Sequence, residues 1–469
     1  MPRPPQLLRR SGLSEVSARA ELLVIGGGLA GCEAAWQAAQ RGMAVRLCEM
    51  RPHVQTGAHK TGRLAELVCS NSLRAISVEN AVGLLKEELS RLDSLVISAA
   101  RETAVPAGGA LAVDRDAFAT FIEERITGHP LIELRREEVR SLDPAAPTVI
   151  ACGPLASEPL TAALAQLCGR PHLHYYDAAS PIVAADSIDM SAVFAGSRYG
   201  KGGDDYLNIP LDRPQYEELV TDLCDAEKHA PHGFEEEQAR GRVPFFEGCL
   251  PVEEMARRGV DTLRFGPLKP VGLGGDRKPY AVVQLRRENA AGTAYNLVGF
   301  QTRLTWPAQK TVFGKLPGLA KSEWLRLGVM HRNTFVDAPR VLAADLSLRP
   351  APNVFVAGQV SGCEGYVEAV ATGLLAGINA RARAAGLAPL VAPNTTALGS
   401  LLSYLGDATS PDFQPQNVTF AYMAPLAASA RVRDKRLRRA RMAERALRDI
   451  DAIAAALRAD RATSEMTLA

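Results

Sequence analysis

Two textures of hydrophobic patterning follow one another along the chain. In the first and last parts the apolar positions come as short continuous runs. Leu22 to Ile25 is such a run, the pattern of a strand buried on both faces of a parallel sheet. Three glycines, Gly26, Gly28 and Gly31, come next, and the alanine-rich stretch Glu33 to Gln40 reads as a helix. Ala44 to Cys48 is a second strand, and Met50 to Arg63, with Pro52, Gly57 and Gly62, is a loop. Leu84, Leu85, Leu89 and Leu92 recur at helical spacing. Thr148 to Ala151 is a short strand broken by Cys152-Gly153-Pro154, and Leu160 to Leu167 is helical. From about Tyr175 to about Gly328 the runs give way to alternation, as in Ala281 to Leu285 and Tyr295 to Gly299. That pattern predicts antiparallel strands, punctuated by Gly272, Gly274, Gly275, Pro279 and Gly299. The first texture then returns: Asn353 to Ala357 is a strand, Gly358-Gln359 a turn, and Val367 to Ala385 a helix of small residues. Arg431 to Leu457 is a long helix candidate.

The glycines give the first texture a chemical meaning. Strand, GxGxxG and helix in succession form the opening of a βαβ unit. The first glycine makes the tight turn, the second lets the backbone approach a pyrophosphate, and the third lets helix and strand pack closely. The helix N-terminus then faces the negative charge. Glu49 closes the second strand about 20 residues beyond the glycines, where a Rossmann unit hydrogen-bonds a ribose 2′-OH. A glycine-rich turn in an ordinary α/β fold would need neither the following helix nor that acid. Gly26, Gly27, Gly28, Leu29, Ala30, Gly31 and Glu49 are therefore candidate dinucleotide-binding residues, joined by Gly358 and Gln359 in the late strand–turn–helix. The expected fold is α/β: a Rossmann-type domain over 21–174 and 329–469, interrupted by an α+β insertion over 175–328. Residues 1–20, with three prolines, are expected to form a mobile extension.

Composition narrows the class of protein. Across 469 residues, 47% are hydrophobic and 23% charged, an ordinary globular balance. A net charge of +2 means that nucleic-acid binding must come from local patches. No run approaches the ~18 apolar residues of a membrane helix. Arg9 and Arg10 are not followed by an apolar core, so no signal peptide is expected. The eight cysteines form no CxxC pair and no zinc spacing. They read as thiols of a cytoplasmic protein. The histidines suggest no metal site.

Two of the cysteines stand apart. Cys69 lies in Glu66-Leu-Val-Cys-Ser-Asn-Ser72, a polar loop or helix start where backbone N–H groups can stabilise a thiolate. Cys249 lies in Phe245-Phe-Glu-Gly-Cys-Leu-Pro251, where glycine and proline define a turn that can present a thiol. Spacing alone leaves open whether each is reactive or simply a small buried hydrophobe. Cys32, Cys48, Cys168, Cys224 and Cys363 carry only the second reading. Arg431 to Arg441 holds seven cations in eleven positions. On a helix this is either a stripe that follows phosphates or a solvated face.

The chain resembles the folate- and FAD-dependent tRNA uracil-5-methyltransferases (TrmFO). The segments that carry the resemblance are Gly26-Gly-Gly-Leu-Ala-Gly31, Glu66-Leu-Val-Cys-Ser-Asn-Ser72 and Phe246-Glu-Gly-Cys-Leu-Pro251, with Gly266-Pro-Leu-Lys-Pro-Val-Gly272, Val298-Gly-Phe-Gln-Thr302, Met330-His-Arg-Asn-Thr-Phe335 and Ala357-Gly-Gln-Val-Ser-Gly362. The resemblance implies 5-methyluridine formation at position 54 of the tRNA T loop. Methylenetetrahydrofolate would be the carbon donor, reduced FAD the reductant, and NADH or NADPH would recharge the flavin. It implies Cys249 as the nucleophile toward uracil carbon 6, and Cys69 as a thiol beside the flavin that handles a proton or guards a flavin adduct. Arg436, Arg438 and Arg439 of the basic tail would contact tRNA. No obligate protein partner and no membrane are expected. The rival readings are the related flavoprotein that modifies the tRNA wobble uridine with a GTPase partner, and an NAD(P)H-dependent flavin oxidase without an RNA substrate.

Overall fold

The computed structural model describes residues 21–171, 173–229, 250–273, 279–407, 413–427 and 432–468. The N-terminal extension, 1–20, lies outside them. Strand Leu22–Ile25 sits in a six-stranded sheet. The order runs Ser347–Leu348, Ala351–Val356, Thr148–Ile150, Leu22–Ile25, Val45–Cys48 and Ile132–Arg135. All neighbours are parallel except the first pair. The register brings Ile25, Cys48, Ile150 and Val356 to one edge. The chain leaves these strands at Gly26, Glu49, Ala151 and Ala357, and ligands of open α/β sheets bind at that edge.

Helix Leu29–Ala39 begins four residues before the expected start at Glu33. Glycine disfavours helix, which is why the sequence reads as a longer turn; here Gly31 lies inside the helix because the backbone packs too closely for a side chain. The same holds where this helix meets helix Tyr366–Ala384. A Cβ on Gly373 would overlap the Ala30 carbonyl oxygen, and one on Gly377 would overlap that of Ala34. The two helices therefore pack nearly backbone to backbone over the sheet.

The middle of the chain forms a second core around Val183, Ile209, Tyr216, Val283, Phe300 and Phe313. Its six-stranded antiparallel sheet runs Phe194–Ala195, Tyr206–Leu211, Ala281–Arg287, Ala294–Leu297, Ile182–Ala184 and Trp324–Arg326. The two cores are joined by an antiparallel ribbon, Leu173–Ala178 with Met330–Phe335. The ribbon is fastened to the first domain: Thr334 N–H donates to Pro154 O at 3.0 Å, and Val336 N–H to Val360 O at 2.9 Å. A three-stranded sheet of Ser72–Ala75, Ala110–Val113 and Ala104–Val105 lies beside the loop that carries Cys69. The tail helix runs from Lys435 to Leu468. No helix of the described residues is long and apolar enough to cross a membrane.

In an exposed helix interior, Gly→Ala stabilises by about 1 kcal/mol. At Gly377 the sign should reverse, because the new methyl group meets backbone, and overpacking costs about 1–3 kcal/mol. Gly377→Ala should therefore lower the melting temperature in a thermal unfolding scan. A melting temperature equal to or above that of the parent would mean that the helices move apart without cost.

Candidate functional site

At the carboxyl edge of the parallel sheet the glycine loop is shaped by clashes that only glycine avoids. Gly26 has φ +104°, and a Cβ there would lie 2.5 Å from the Ala151 carbonyl oxygen. A Cβ on Gly31 would overlap the Gly26 carbonyl oxygen. Gly28 differs. A Cβ there meets nothing within 4 Å, so the space beside it is open to a ligand. Gly28 also N-caps helix Leu29–Ala39, and no side chain caps that helix. The first-turn N–H groups of a helix have no partner within it, so Leu29, Ala30 and Gly31 present donors to this space. Such an N-terminus suits a pyrophosphate. The space opens into a cleft walled by Gly28, Glu49, Thr56, Cys152, Gly153 and Gln359 among others.

Glu49 lines this cleft, but both its oxygens are already engaged. Oε2 accepts from Gly27 N–H at 2.8 Å and from Arg51 Nη2 at 3.1 Å. Oε1 accepts from the backbone N–H and Nε of Arg51, each at 2.9 Å. Burial would raise its pKa; the hydrogen bonds and charge of Arg51, with the Gly27 N–H, outweigh burial and hold it below the usual carboxylate range. Arg51 also reaches Glu66 at 3.2 Å. The acid expected at a ribose thus also fixes the glycine loop. Burial, then the nearby Arg51 charge, depresses the His59 pKa to about 4, so the imidazole in the cleft wall is neutral.

A second cavity adjoins the first. Val68, Pro154, Leu155, Gln359 and Tyr366 line both. Cys69 is on its wall, in a loop as expected. Cys69 N–H donates to Tyr366 Oη at 2.9 Å, and Ser70 N–H does so at 3.3 Å. With two donors pointing at Oη, the phenol's own hydrogen is left for Cys69 Sγ, 3.0 Å away. Burial, and then the negative charge of Cys69, raise the Tyr366 pKa well above 10, so the phenol stays a donor. Donation into sulfur favours the thiolate. Two arginines frame the same loop. Arg286 donates to Asn71 Oδ1 at 3.0 Å and Ser70 Oγ at 2.7 Å. Arg115 donates to the Leu67 carbonyl and pairs with Glu288. By contrast, burial pushes Cys48, Cys152 and Cys363 up to about 12, Cys168 up to about 11, and Cys32 further still. Burial thus favours the protonated form of those five thiols.

Cys249 lies outside the described residues. The chain resumes at Leu250, and Val252 N–H donates to the carbonyl of Gln301 at 2.7 Å. Gln301 is part of the wall of the second cavity. Gly358 opens the turn after Val356 with φ +76°, its N–H bonded to Thr372 Oγ1 at 2.8 Å, and places Gln359 between the two cavities. The basic tail is separate from the glycine loop. Arg436 pairs with Glu79 at 2.8 Å, the Arg439 guanidinium lies 5.4 Å from the Phe420 ring centre, and Arg438 is exposed. The segment under it carries Asn417, which lines the second cavity. Among the described residues, no three His, Cys, Asp or Glu side chains gather as a metal site.

Several residues of this site carry no sequence signal. Tyr366 is 297 positions from Cys69. Arg74, on the second cavity wall, has φ +65° and donates to both oxygens of buried Glu368, at the start of helix Tyr366–Ala384. A left-handed arginine and a carboxylate buried in an alanine-rich helix are visible only once the fold brings them together.

The model of the family described as "GIDA: Glucose inhibited division protein A" matches residues 21–388. A methylenetetrahydrofolate–tRNA-(uracil-5-)-methyltransferase TrmFO from Symbiobacterium thermophilum is 56% identical over 428 residues, 90% of this chain and 95% of the relative. The protein of the same name from Geobacter sulfurreducens is 55% identical over 432 residues, 91% of this chain and 97% of the relative. Among solved structures, GidA from Aquifex aeolicus in its form II crystal has a TM-score of 0.67 at 17% identity, over 95% of this chain and 74% of that one. That likeness is one of fold.

Gly28→Val should fold normally, since its side chain enters open space, and should lose bound dinucleotide, measured as nucleotide released on denaturation. Gly31→Val should fail to give soluble folded protein. Full nucleotide content in Gly28→Val would move the pyrophosphate elsewhere. Tyr366→Phe removes the hydrogen-bond donor to Cys69. Alkylation of Cys69 by iodoacetamide, followed by mass spectrometry against pH, should then shift to higher pH; an unmoved profile would show that the phenol does not stabilise the thiolate.

Proposed function

The chain belongs to the TrmFO family of methylenetetrahydrofolate–tRNA-(uracil-5-)-methyltransferases, and from that premise we propose that it converts a uridine of the tRNA T loop, position 54, to 5-methyluridine with FAD in the first cleft. The observation that carries the reading is the second cavity, which puts a hydrogen-bonded cysteine beside the dinucleotide cleft with shared walls. FAD fits the residues present: an uncapped helix N-terminus, open space at Gly28, and a loop fastened by Glu49. The assignments to Gly26, Gly27, Gly28, Leu29, Ala30, Gly31, Glu49, Gly358 and Gln359 are part of the proposal, as is the division of the chain at 174/175 and 328/329. NADH or NADPH as the electron source and a cytoplasmic location belong to it too.

Uracil carbon 5 is a poor nucleophile. A thiolate that adds to carbon 6 makes the ring an enolate, nucleophilic at carbon 5. That addition is given to Cys249; carbon 5 later loses its proton, and the sulfur leaves carbon 6 as the added carbon becomes methyl, which restores the C5–C6 double bond. When bound, methylenetetrahydrofolate supplies the carbon and reduced FAD the hydride that complete the methyl group. Cys69, held by Tyr366 and framed by Arg115 and Arg286, is suited to accept a proton at sulfur and to release it to water. Gln359 and Tyr366, common to both cavities, position what enters each against the other. The target base must leave the tRNA stack to enter the second cavity.

The test is incubation of unmodified tRNA with labelled methylenetetrahydrofolate and NAD(P)H, followed by nucleoside mapping. Label is expected in 5-methyluridine at position 54. Label at the wobble position, or none, would overturn the reading. Cys249→Ala should abolish methyl transfer while leaving the flavin spectrum and its reduction by NAD(P)H intact. Cys69→Ala should also lose methyl transfer, with a perturbed spectrum. tRNA carrying 5-fluorouridine at the target, which retains the carbon-6 thioether, should cross-link through Cys249. A link at Cys69 would exchange the two roles.

A further inference from the structure

The Cys69 cavity has two lips. One is marked by Asn417, which lies just before Phe420, the ring that carries the Arg439 guanidinium of the tail helix. The other is marked by Gly299, also on the wall, which packs against Pro267; a Cβ on Gly299 would lie 2.5 Å from the proline Cβ. Two large apolar side chains near Pro267 in sequence are exposed. Phe265 is 77% exposed and Val271 is 60% exposed. This segment is tied to a second one. Tyr199 N–H donates to Gly272 O at 2.6 Å, and Arg198 Nη1 donates to Val271 O at 2.8 Å. Tyr199 packs against Gly272 yet stays 57% exposed.

Two further observations say what this lip faces. Tyr199 has φ +58° and ψ 28°, a left-handed conformation that is costly for a residue with a Cβ and is retained mainly at functional positions. Its ring gains little from burial, so the strain is not explained by packing. Cations also attend the rings. Lys269 Nζ lies 5.7 Å from the Tyr199 ring centre, and the Arg264 guanidinium 5.7 Å from that of Phe265. Lys201 is exposed two residues beyond Tyr199, its side chain passing over Gly109, and nearby Asp205 accepts Gly108 N–H at 2.6 Å. Exposed aromatic faces with interleaved cations complement a single-stranded polyanion, whose bases offer π-faces and whose phosphates offer charge. A duplex hides those faces in its own stack.

We propose that Tyr199 and Phe265, with Lys201, Arg264 and Lys269, form a stacking platform for unpaired bases of the tRNA next to the base being modified. The platform rests on the proposed tRNA substrate and adds a binding surface for it. The tail helix holds phosphates at one lip, the platform holds bases at the other, and the cavity between them receives the extruded uracil. The two lips have different physics: the first is mainly charge, the second mainly stacking.

The experiment compares binding of an unmodified tRNA transcript and of a fully paired RNA hairpin to the full chain, by fluorescence anisotropy over a range of salt. Phe265→Ser and the double variant Tyr199→Ala/Phe265→Ser should weaken tRNA binding by at least roughly fivefold per ring removed, the low end for a base–aromatic stack. Their salt dependence and their affinity for the paired hairpin should not change. Tyr199→Phe, which keeps the ring, should bind as the parent does. Arg436→Ala/Arg438→Ala/Arg439→Ala should instead reduce the log–log salt slope, by roughly 0.7 to 0.9 for each phosphate that is no longer neutralised. Bound flavin and its reduction by NAD(P)H without RNA should be unchanged in the platform variants. Unchanged tRNA affinity in the double variant overturns the platform. So does equal loss on the paired hairpin, or a changed oligomeric state in sedimentation, which would make the patch a protein interface. Failure of the parent protein itself to bind or methylate tRNA would instead overturn the proposed tRNA substrate.

Discussion

The close approach of two helix backbones is the constraint on which the site depends. Helix Leu29–Ala39 and helix Tyr366–Ala384 meet through Gly373 and Gly377 over Ala30 and Ala34. That approach does more than bury small side chains. It fixes the N-terminus of the first helix, whose free N–H groups face the first cleft. It also fixes the start of the second helix, where Tyr366 reaches over to Cys69. One packing decision thus sets the distance between a phosphate-binding edge and a thiol. Any side chain beyond hydrogen at those glycines would push the two apart by a sizeable part of an ångström, which is the tolerance on which positioned chemistry depends.

Local physics made the first half of this legible in the sequence. An apolar strand, a tight turn, a small-residue helix and an acid at the next strand end all fall within about 30 residues, the span of a βαβ unit. The late strand–turn–helix at Asn353 to Ala385 is legible for the same reason. The boundary at Leu29 is not, because glycine's helix penalty argues for a turn, and only the proximity of Gly26 to Gly31 reverses it. The direction of Glu49 is equally hidden. Spacing places it at the cleft, but which way its oxygens point depends on Arg51 and Gly27.

The chemistry of Cys69 shows the limit most clearly. Its motif marks a polar loop near the cofactor and nothing further. What distinguishes it from the five thiols that burial keeps protonated is a phenol 297 residues away and two arginines from different layers. Pairings of that separation leave no periodicity to read. The same applies to the aromatic lip, where Tyr199 and Phe265 are far apart in sequence and are joined through Gly272 and Val271.

The ribbon that leads into and out of the second core has a further consequence. Leu173 and Phe335 are cross-strand partners, as are Ala178 and Met330. The intervening segment therefore leaves and rejoins the parent domain at adjacent points, and its length is invisible to the parallel sheet. Loops can be lengthened, shortened or exchanged within it without altering any register around the glycine turn. Because the same ribbon is bonded to Pro154 and Val360, whatever is inserted there inherits a fixed orientation toward the carboxyl edge of the parallel sheet. The arrangement is that of a head on a keyed shaft, whose outer loops can change while the face that meets the Cys69 loop through Arg286 and Glu288 stays as it is.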